Sequence, residues 1–208
     1  MRLQNKHLVL LLYFWWLPAI VSAAAVDQLS DKLDQITSVT AKFVQTTQDR
    51  YGDVVNLSEG RLLVGPEGRF NITTVMPFEQ QLISDGKDIY TYDPELEQVI
   101  VRALIKDATQ VPILVLGNAD PDFLSKYEVR LEKDTQDSQE FSLTATENSV
   151  FDRLHLVFAQ GQPQRIWFQD SLGQTTEIQL SEVNTNDFIP EEAFKFMVPD
   201  GVDLIDDR

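Results

Sequence analysis

The sequence predicts a mainly β chain: one leading helix, then about eleven short strands in an antiparallel sheet that curls or closes. Three observations predict it. Apolar residues recur at helical spacing near the start, short alternating runs fill most of the remainder, and the breaks between runs are rich in Gly, Pro, Asp and Asn. No repeat with a period of about 20–50 residues and no low-complexity linker divides the chain, so one domain is expected over residues 24–208.

Residues 1–23 read as a targeting segment. Arg2 and Lys6 make a basic start, and LVLLLYFWW from Leu8 to Trp16 is an apolar centre too short to cross a bilayer comfortably. Pro18 then breaks the run, and Val21, Ser22 and Ala23 form a small-residue cleavage site. A secretory signal peptide cut after Ala23 is the expectation, with an uncleaved anchor as the alternative. No later run reaches membrane-spanning length. The chain has no cysteine, which excludes a lipid-modified N-terminal cysteine and leaves stability to packing. A bacterial periplasm is the expected compartment.

Charge narrows the partners. Asp and Glu number 33 against 17 Lys and Arg, a formal charge of −16 that becomes more negative once Arg2 and Lys6 leave. That balance argues against nucleic acid and against anionic membrane surfaces, both of which want a basic patch.

Val26, Leu29, Leu33 and Ile36 share one helical face, with Asp27 as a candidate cap and an end near Thr37. In SVTAKFVQTT the period changes to two, with Val39, Ala41 and Phe43 alternating with polar neighbours, which favours a strand. Continuation of the helix to Thr47 stays open, since Ile36, Thr40 and Phe43 also fit its face. Beyond it, GRLLV, RFNITTV, QQLIS, KDIYTY, EQVIV, YEVRLEK, EFSLTAT, RLHLVFA, RIWFQD, TTEIQLSEV and FKFMV read as strands. GPEG, SDGK, YDPELE, DTQDSQ, AQGQPQ and DSLGQ separate them with turn chemistry, and Asp85-Gly86 is a hairpin signal.

One segment interrupts the strands. Around Val111 to Gly117, VPILVLG reads as a short helix, with Pro112 in its first turn and Gly117-Asn118 as its stop. It is apolar on nearly every side, so it is buried or faces another apolar body.

Chemistry is sparse. Past the targeting segment the single histidine, His155, sits in an alternating run and reads as a partly exposed strand residue rather than a general base. No nucleophile elbow, zinc-binding helix or phosphate loop occurs, so no catalytic residue, cofactor or metal is assigned. Asp93, Glu95 and Glu97 suit an exposed turn better than paired acids or a calcium site. Asp120 and Asp122 suit a turn and helix start better than a metal pair. What remains is apolar surface: Leu62 and Val64, Phe70 and Ile72, Leu82, Tyr90 and Tyr92, Val99 and Val101, beside the greasy helix. Two readings stay open, an ordinary core, or a concave sheet that receives an apolar ligand under a helical cover.

The order of motifs resembles the outer-membrane lipoprotein carrier protein family, LolA. The resemblance runs through TAKFVQT, G-x-L-x-V, RFNI with PFEQ downstream, LISDGKDIYTYDPELEQV, LIKDATQVPILVL and the closing FMVPDGVDLID. It implies an unclosed β-barrel, or half-barrel, with a helical lid over an apolar cavity. It also implies a carrier of triacylated lipoproteins, loaded by an inner-membrane ABC transporter and unloaded to an outer-membrane receptor. By the same resemblance Phe70, Ile72, Leu82 and Tyr92 contribute to acyl-chain binding, and Ile113, Leu114 and Leu116 belong to the lid. One departure stands out: the family often sets an arginine before the turn proline as a lid lock, whereas here Gly65 precedes Pro66. Arg61 or Arg69 is the candidate substitute, because a guanidinium has five donors to offer lid carbonyls; a solvated strand-end charge is the other reading of both. A periplasmic lipid-sensing regulator of similar fold and a carboxylate-dependent hydrolase are the rival functions.

Overall fold

The computed structural model describes residues 19–104, 112–117, 123–146 and 151–208, without the side chains of residues 19–23 and Pro112. The basic start, the Leu8–Trp16 run, Pro18, Val111, Asn118, Asp120 and Asp122 lie outside the described residues. Helix α1 spans Ala19–Asp34. Asp27 sits inside it rather than capping it, because the alanines at 23–25 are strong helix formers that extend it upstream. Ala25, Leu29 and Leu33 are buried, and the Ile36 amide donates to the Leu33 carbonyl at 3.0 Å as the chain leaves the helix. The next segment is a strand, as its β-branched alternation favours.

Among the described residues twelve strands follow: β1 Val39–Gln48, β2 Val54–Val64, β3 Arg69–Met76, β4 Gln80–Asp85, β5 Asp88–Asp93, β6 Gln98–Ala103, β7 Tyr127–Asp134, β8 Ser138–Ala145, β9 Phe151–Ala159, β10 Gln162–Asp170, β11 Thr175–Thr185 and β12 Asp203–Asp206. They form one sheet in the order β12-β6-β5-β4-β3-β2-β1-β11-β10-β9-β8-β7, so β1 and β11 join two meanders and the ends β12 and β7 do not pair. This is the unclosed half-barrel. Turn chemistry places the hairpins: Asp85 Oδ1 accepts from the Lys87 and Asp88 amides at 2.8 and 2.9 Å around Gly86, whose φ of +93° suits glycine.

Two expectations are corrected at the C-terminus. FKFMV is not a strand, and the final strand is parallel to its neighbour β6 instead of antiparallel. Between Pro190 and Pro199 the chain crosses the convex face of the sheet, seating Phe194, 2% exposed, and laying Phe196 with its ring centroid 5.6 Å from those of both Tyr90 and Tyr92. The alternation in FKFMV is therefore used against a sheet face and not in a ladder. Parallel pairing with β6 needs a long crossover, which a hairpin cannot supply and this crossing does. Arg208 fastens the end by bonding Asp206 and the nearly buried Asp88, the latter at 2.9 Å.

The register sorts the concave face into rows. One row runs Val39, Val64, Phe70 and Ser84, and the next Ala41, Leu62, Ile72, Leu82 and Thr91. From the other meander, Leu131, Phe141, Leu156, Ile166 and Ile178 align in a third. A single buried cluster joins these rows to α1 and to the short 3-10 helix Pro112–Leu116, so the sheet curves around both.

Candidate functional site

The curved sheet is not filled by its own side chains. Beside the core lies an open hollow of about 590 Å³, within the size range of ligand pockets. Its deep wall is apolar, formed by Phe43, Leu62, Ile72, Leu82, Phe168 and Ile178, with Ile113 reaching in from the 3-10 helix. At the mouth stand Phe78 and Leu96, 65% and 68% exposed, together with Glu79, Asp93 and Glu95. Phe43 can lie flat on the sheet because position 60 is glycine: a Cβ there would meet the Phe43 Cε1 at 2.9 Å and the Thr73 carbonyl oxygen at 2.0 Å.

The 3-10 helix Pro112–Leu116 plugs one side of this space. The expected short helix is of the 3-10 type, and its position under the curve fits an all-apolar segment: Ile113, Leu114, Val115 and Leu116 are all buried. It lies against β2 and β10. The Gly117 amide closes it by donating to the Leu114 carbonyl at 3.0 Å.

The residues singled out from the sequence divide three ways. Ile72, Leu82 and Ile113 line the hollow. Phe70, Leu114 and Leu116 sit in the core beside it. Tyr92, Arg61 and Arg69 are on the other face and are corrected: Tyr92 pairs with Gln81, Arg61 with Lys42 and Thr73, and Arg69 with Asp85, one residue out of phase with the inward rows. Tyr92 instead packs on Phe196, and beside it burial pushes the Tyr90 phenol up, helped by the carboxylates of Asp85 and Asp88. Arg69 donates from Nε to the Pro66 carbonyl at 3.1 Å, lies 3.7 Å from Glu191, and stands over the Phe194 ring. It ties down the C-terminal crossing, not the plug. Arg61 is exposed on the convex face.

Phe43, Phe168 and Ile178 were absent from the predicted lining. Their signal was available in the alternation of β1, β10 and β11, but alternation alone does not say which phase points inward. Asp93 accepts from the Leu96 amide at 3.0 Å, as a turn residue does, while also reaching the mouth. His155 stacks edge-on against Trp167 at 5.0 Å and lies 3.7 Å from Glu140, a half-exposed strand histidine away from the hollow. Among the described residues no three acidic or histidine side chains are grouped to hold a metal, and no helix is long and apolar enough to cross a membrane.

The family described as "Outer membrane lipoprotein carrier protein LolA" matches residues 34–197. The chain is 35% identical over 188 residues to an outer-membrane lipoprotein carrier protein of Hahella chejuensis, covering 89% of this chain and 90% of that one. A protein of the same description from Pseudomonas syringae pv. syringae is 32% identical over 206 residues, with 99% of both chains covered. In fold, the chain is similar to the crystal structure of an uncharacterized conserved protein from Thermus thermophilus. That likeness has a TM-score of 0.56 at 12% identity and covers 86% of this chain and 98% of that one.

Proposed function

Because the chain belongs to the outer membrane lipoprotein carrier protein LolA family, we propose that its hollow is where it shelters the acyl chains of lipoproteins. It is a lipoprotein carrier. The observation that carries the structural part is the pairing of an apolar-walled, open hollow with a plug of four consecutive buried apolar residues, Ile113 to Leu116.

The energetics suit carriage without chemistry. Burial stabilises an acyl chain by roughly 0.8 kcal/mol per CH₂, so one fully sheltered chain gains on the order of 10 kcal/mol. The hollow has limited room, and three chains need more. Lifting the plug supplies it, because the plug's own apolar side chains then give up their places to alkyl carbons of similar character. Loading thus exchanges one set of apolar contacts for another, which keeps the grip loose enough for release. Direction comes from differential affinity at each transfer and not from a reaction in this chain.

In this reading residues 1–23 direct export and are removed, leaving Ala25, Leu29 and Leu33 of α1 to pack as they do here. The carrier works in the periplasm, receives triacylated lipoproteins from an inner-membrane ABC transporter and yields them to an outer-membrane receptor. The acidic surface keeps an apolar mouth from settling on anionic headgroups.

The test is native mass spectrometry of the purified protein incubated with a detergent-solubilised triacylated lipoprotein, followed by detergent removal. A one-to-one complex that stays in solution is expected, and it should be absent when the same lipoprotein lacks its acyl chains. Equal capture of the unacylated form, or none of the acylated one, overturns the proposal.

A further inference from the structure

One strip of the hollow is unsuited to hydrocarbon. Along β1 the inward side chains are Val39, Ala41, Phe43, Gln45 and Thr47, so polarity rises towards the open end. The flanking strands change with it. Ser58 and Asn56 of β2 stand opposite Gln45 and Thr47, and Thr74 of β3 pairs with Gln80 of β4. Followed the other way, the same rows are apolar: Gln45 continues into Ile178 and Ile166, and Thr47 continues through Thr176 into Phe168 and Leu154.

Thr47 and Thr176 satisfy each other through a 3.1 Å hydroxyl contact. Gln45, Asn56, Ser58, Thr74 and Gln80 line the hollow, and their side chains make no hydrogen bond among the described residues. Ser58 is only 8% exposed. A ligand that brings nothing but CH₂ groups to this level strips water from these three carboxamides and two hydroxyls and gives nothing back, which is unfavourable. A ligand with carbonyls at that height replaces the water.

Resting on the carrier reading, we infer that these five side chains form a polar collar that hydrogen-bonds the ester and amide groups joining the acyl chains to an N-terminal, diacylglyceryl-modified and N-acylated cysteine. The inventory matches. Ester carbonyls only accept, and each carboxamide of Gln45, Asn56 and Gln80 offers two donors, with one more from each hydroxyl. The amide N–H of the acylated cysteine is a donor, and the carboxamide oxygens accept it. The tails then lie below the collar against Phe43, Leu62, Ile72 and Ile113, and the polypeptide leaves past Phe78 and Leu96. The collar fixes insertion depth. It also gives selectivity, since a site built to hydrogen-bond a group rejects a ligand lacking it more sharply than an apolar wall rejects a change in chain length.

The experiment compares two ligands on the intact carrier: a triacylated cysteinyl peptide with ¹³C-labelled ester carbonyls, and a carbonyl-free alkyl fluorophore of matched chain length. Gln45→Leu, Asn56→Leu and Gln80→Leu keep similar volume and remove the polar groups. Each is expected to weaken lipopeptide binding roughly five- to tenfold, the worth of one hydrogen bond, and to leave alkyl-probe binding unchanged or tighter. The labelled ester band, lowered by hydrogen bonding in the parent complex, should move up in the variants. Equal weakening for both ligands means the side chains serve only structure; unchanged lipopeptide binding, or an ester band insensitive to the substitutions, means they are merely solvated. Each of these results overturns the collar. If the parent protein binds neither ligand, the carrier reading fails with it.

Discussion

Gly117 lies so close to Gly65 that a Cβ on Gly117 would stand 2.8 Å from the Gly65 carbonyl oxygen and 2.6 Å from Val64 Cγ1. The end of the plug is thus seated backbone to backbone on the end of β2, and one obstacle is main chain that cannot rotate away. Gly117→Ala is expected to destabilise the protein by about 1–3 kcal/mol, the usual cost of overpacking. It should also raise affinity for an apolar fluorophore, because the plug is held off its seat. Urea unfolding and dye titration check the two halves. Unchanged stability with unchanged dye binding would show that the plug does not close here.

Leu116 is fully buried, whereas Phe78 and Leu96 project from the rim of the hollow. Position in the molecule should therefore separate stability from binding. Leu116→Ala is expected to cost about 2–5 kcal/mol. Phe78→Ala and Leu96→Ala should change stability by less than about 0.5 kcal/mol while weakening capture of an acylated peptide. Denaturant midpoints and a binding isotherm on the same preparations suffice. A rim variant that loses stability as Leu116→Ala does would contradict the placement of the mouth.

Where the sequence was legible, local pattern and burial agreed. Leu29 and Leu33 announced a helix face, Asp85-Gly86 a hairpin, and the greasy Ile113 to Leu116 a covered segment; each is found in that role. The errors arose where two faces of one strand are both covered. Tyr90 and Tyr92 carry the larger apolar groups of β5 and suggested the inward phase, but Phe196 covers them from outside and Thr91 faces in with Leu82. Nothing local to β5 announces that a segment a hundred residues away crosses its outer face. For the same reason FKFMV read as a strand. Arg69 could not be told from a lid lock by spacing alone, because Phe194 and Glu191, its neighbours in space, are distant in sequence.

Gly65 has a second neighbour, since a Cβ built on it would come within 2.8 Å of Phe194 Cζ. The position before the turn proline is here the seat of a phenyl ring from the C-terminal crossing. Gly65→Ala should destabilise the chain, and Phe194→Ala should do so by about 3–5 kcal/mol because the ring is buried. In the double variant the alanine at 65 fills part of the emptied seat, so the combined loss falls short of the sum, with a coupling of about 0.5–3 kcal/mol. Strict additivity in a thermodynamic cycle would dissociate the two residues.

Arg208 bonds Asp206 on β12 and Asp88 at the start of β5, which fastens the final strand to the sheet. The bond from Arg208 holds the Asp206 carboxyl below the usual carboxylate range, and the same pairing pushes the guanidinium up, so the arginine stays charged throughout. A carboxyl depressed in the folded state contributes stability that is present above its unfolded value, near pH 3.9. The contribution is lost as pH falls from there through the lowered folded value. Asp206 holds in place the guanidinium that bonds Asp88, so the end of the C-terminal strand should stay docked from neutral pH down to about pH 4 and loosen below it. Amide signals of Leu204 and Ile205, followed by NMR during acid titration, report that step directly. Arg208→Gln should weaken docking already at neutral pH and flatten the acid transition, because Asp206 then has no cation to keep it ionised. Loosening that begins near pH 6 in the parent protein, where neither partner changes charge, would remove the clamp from the explanation.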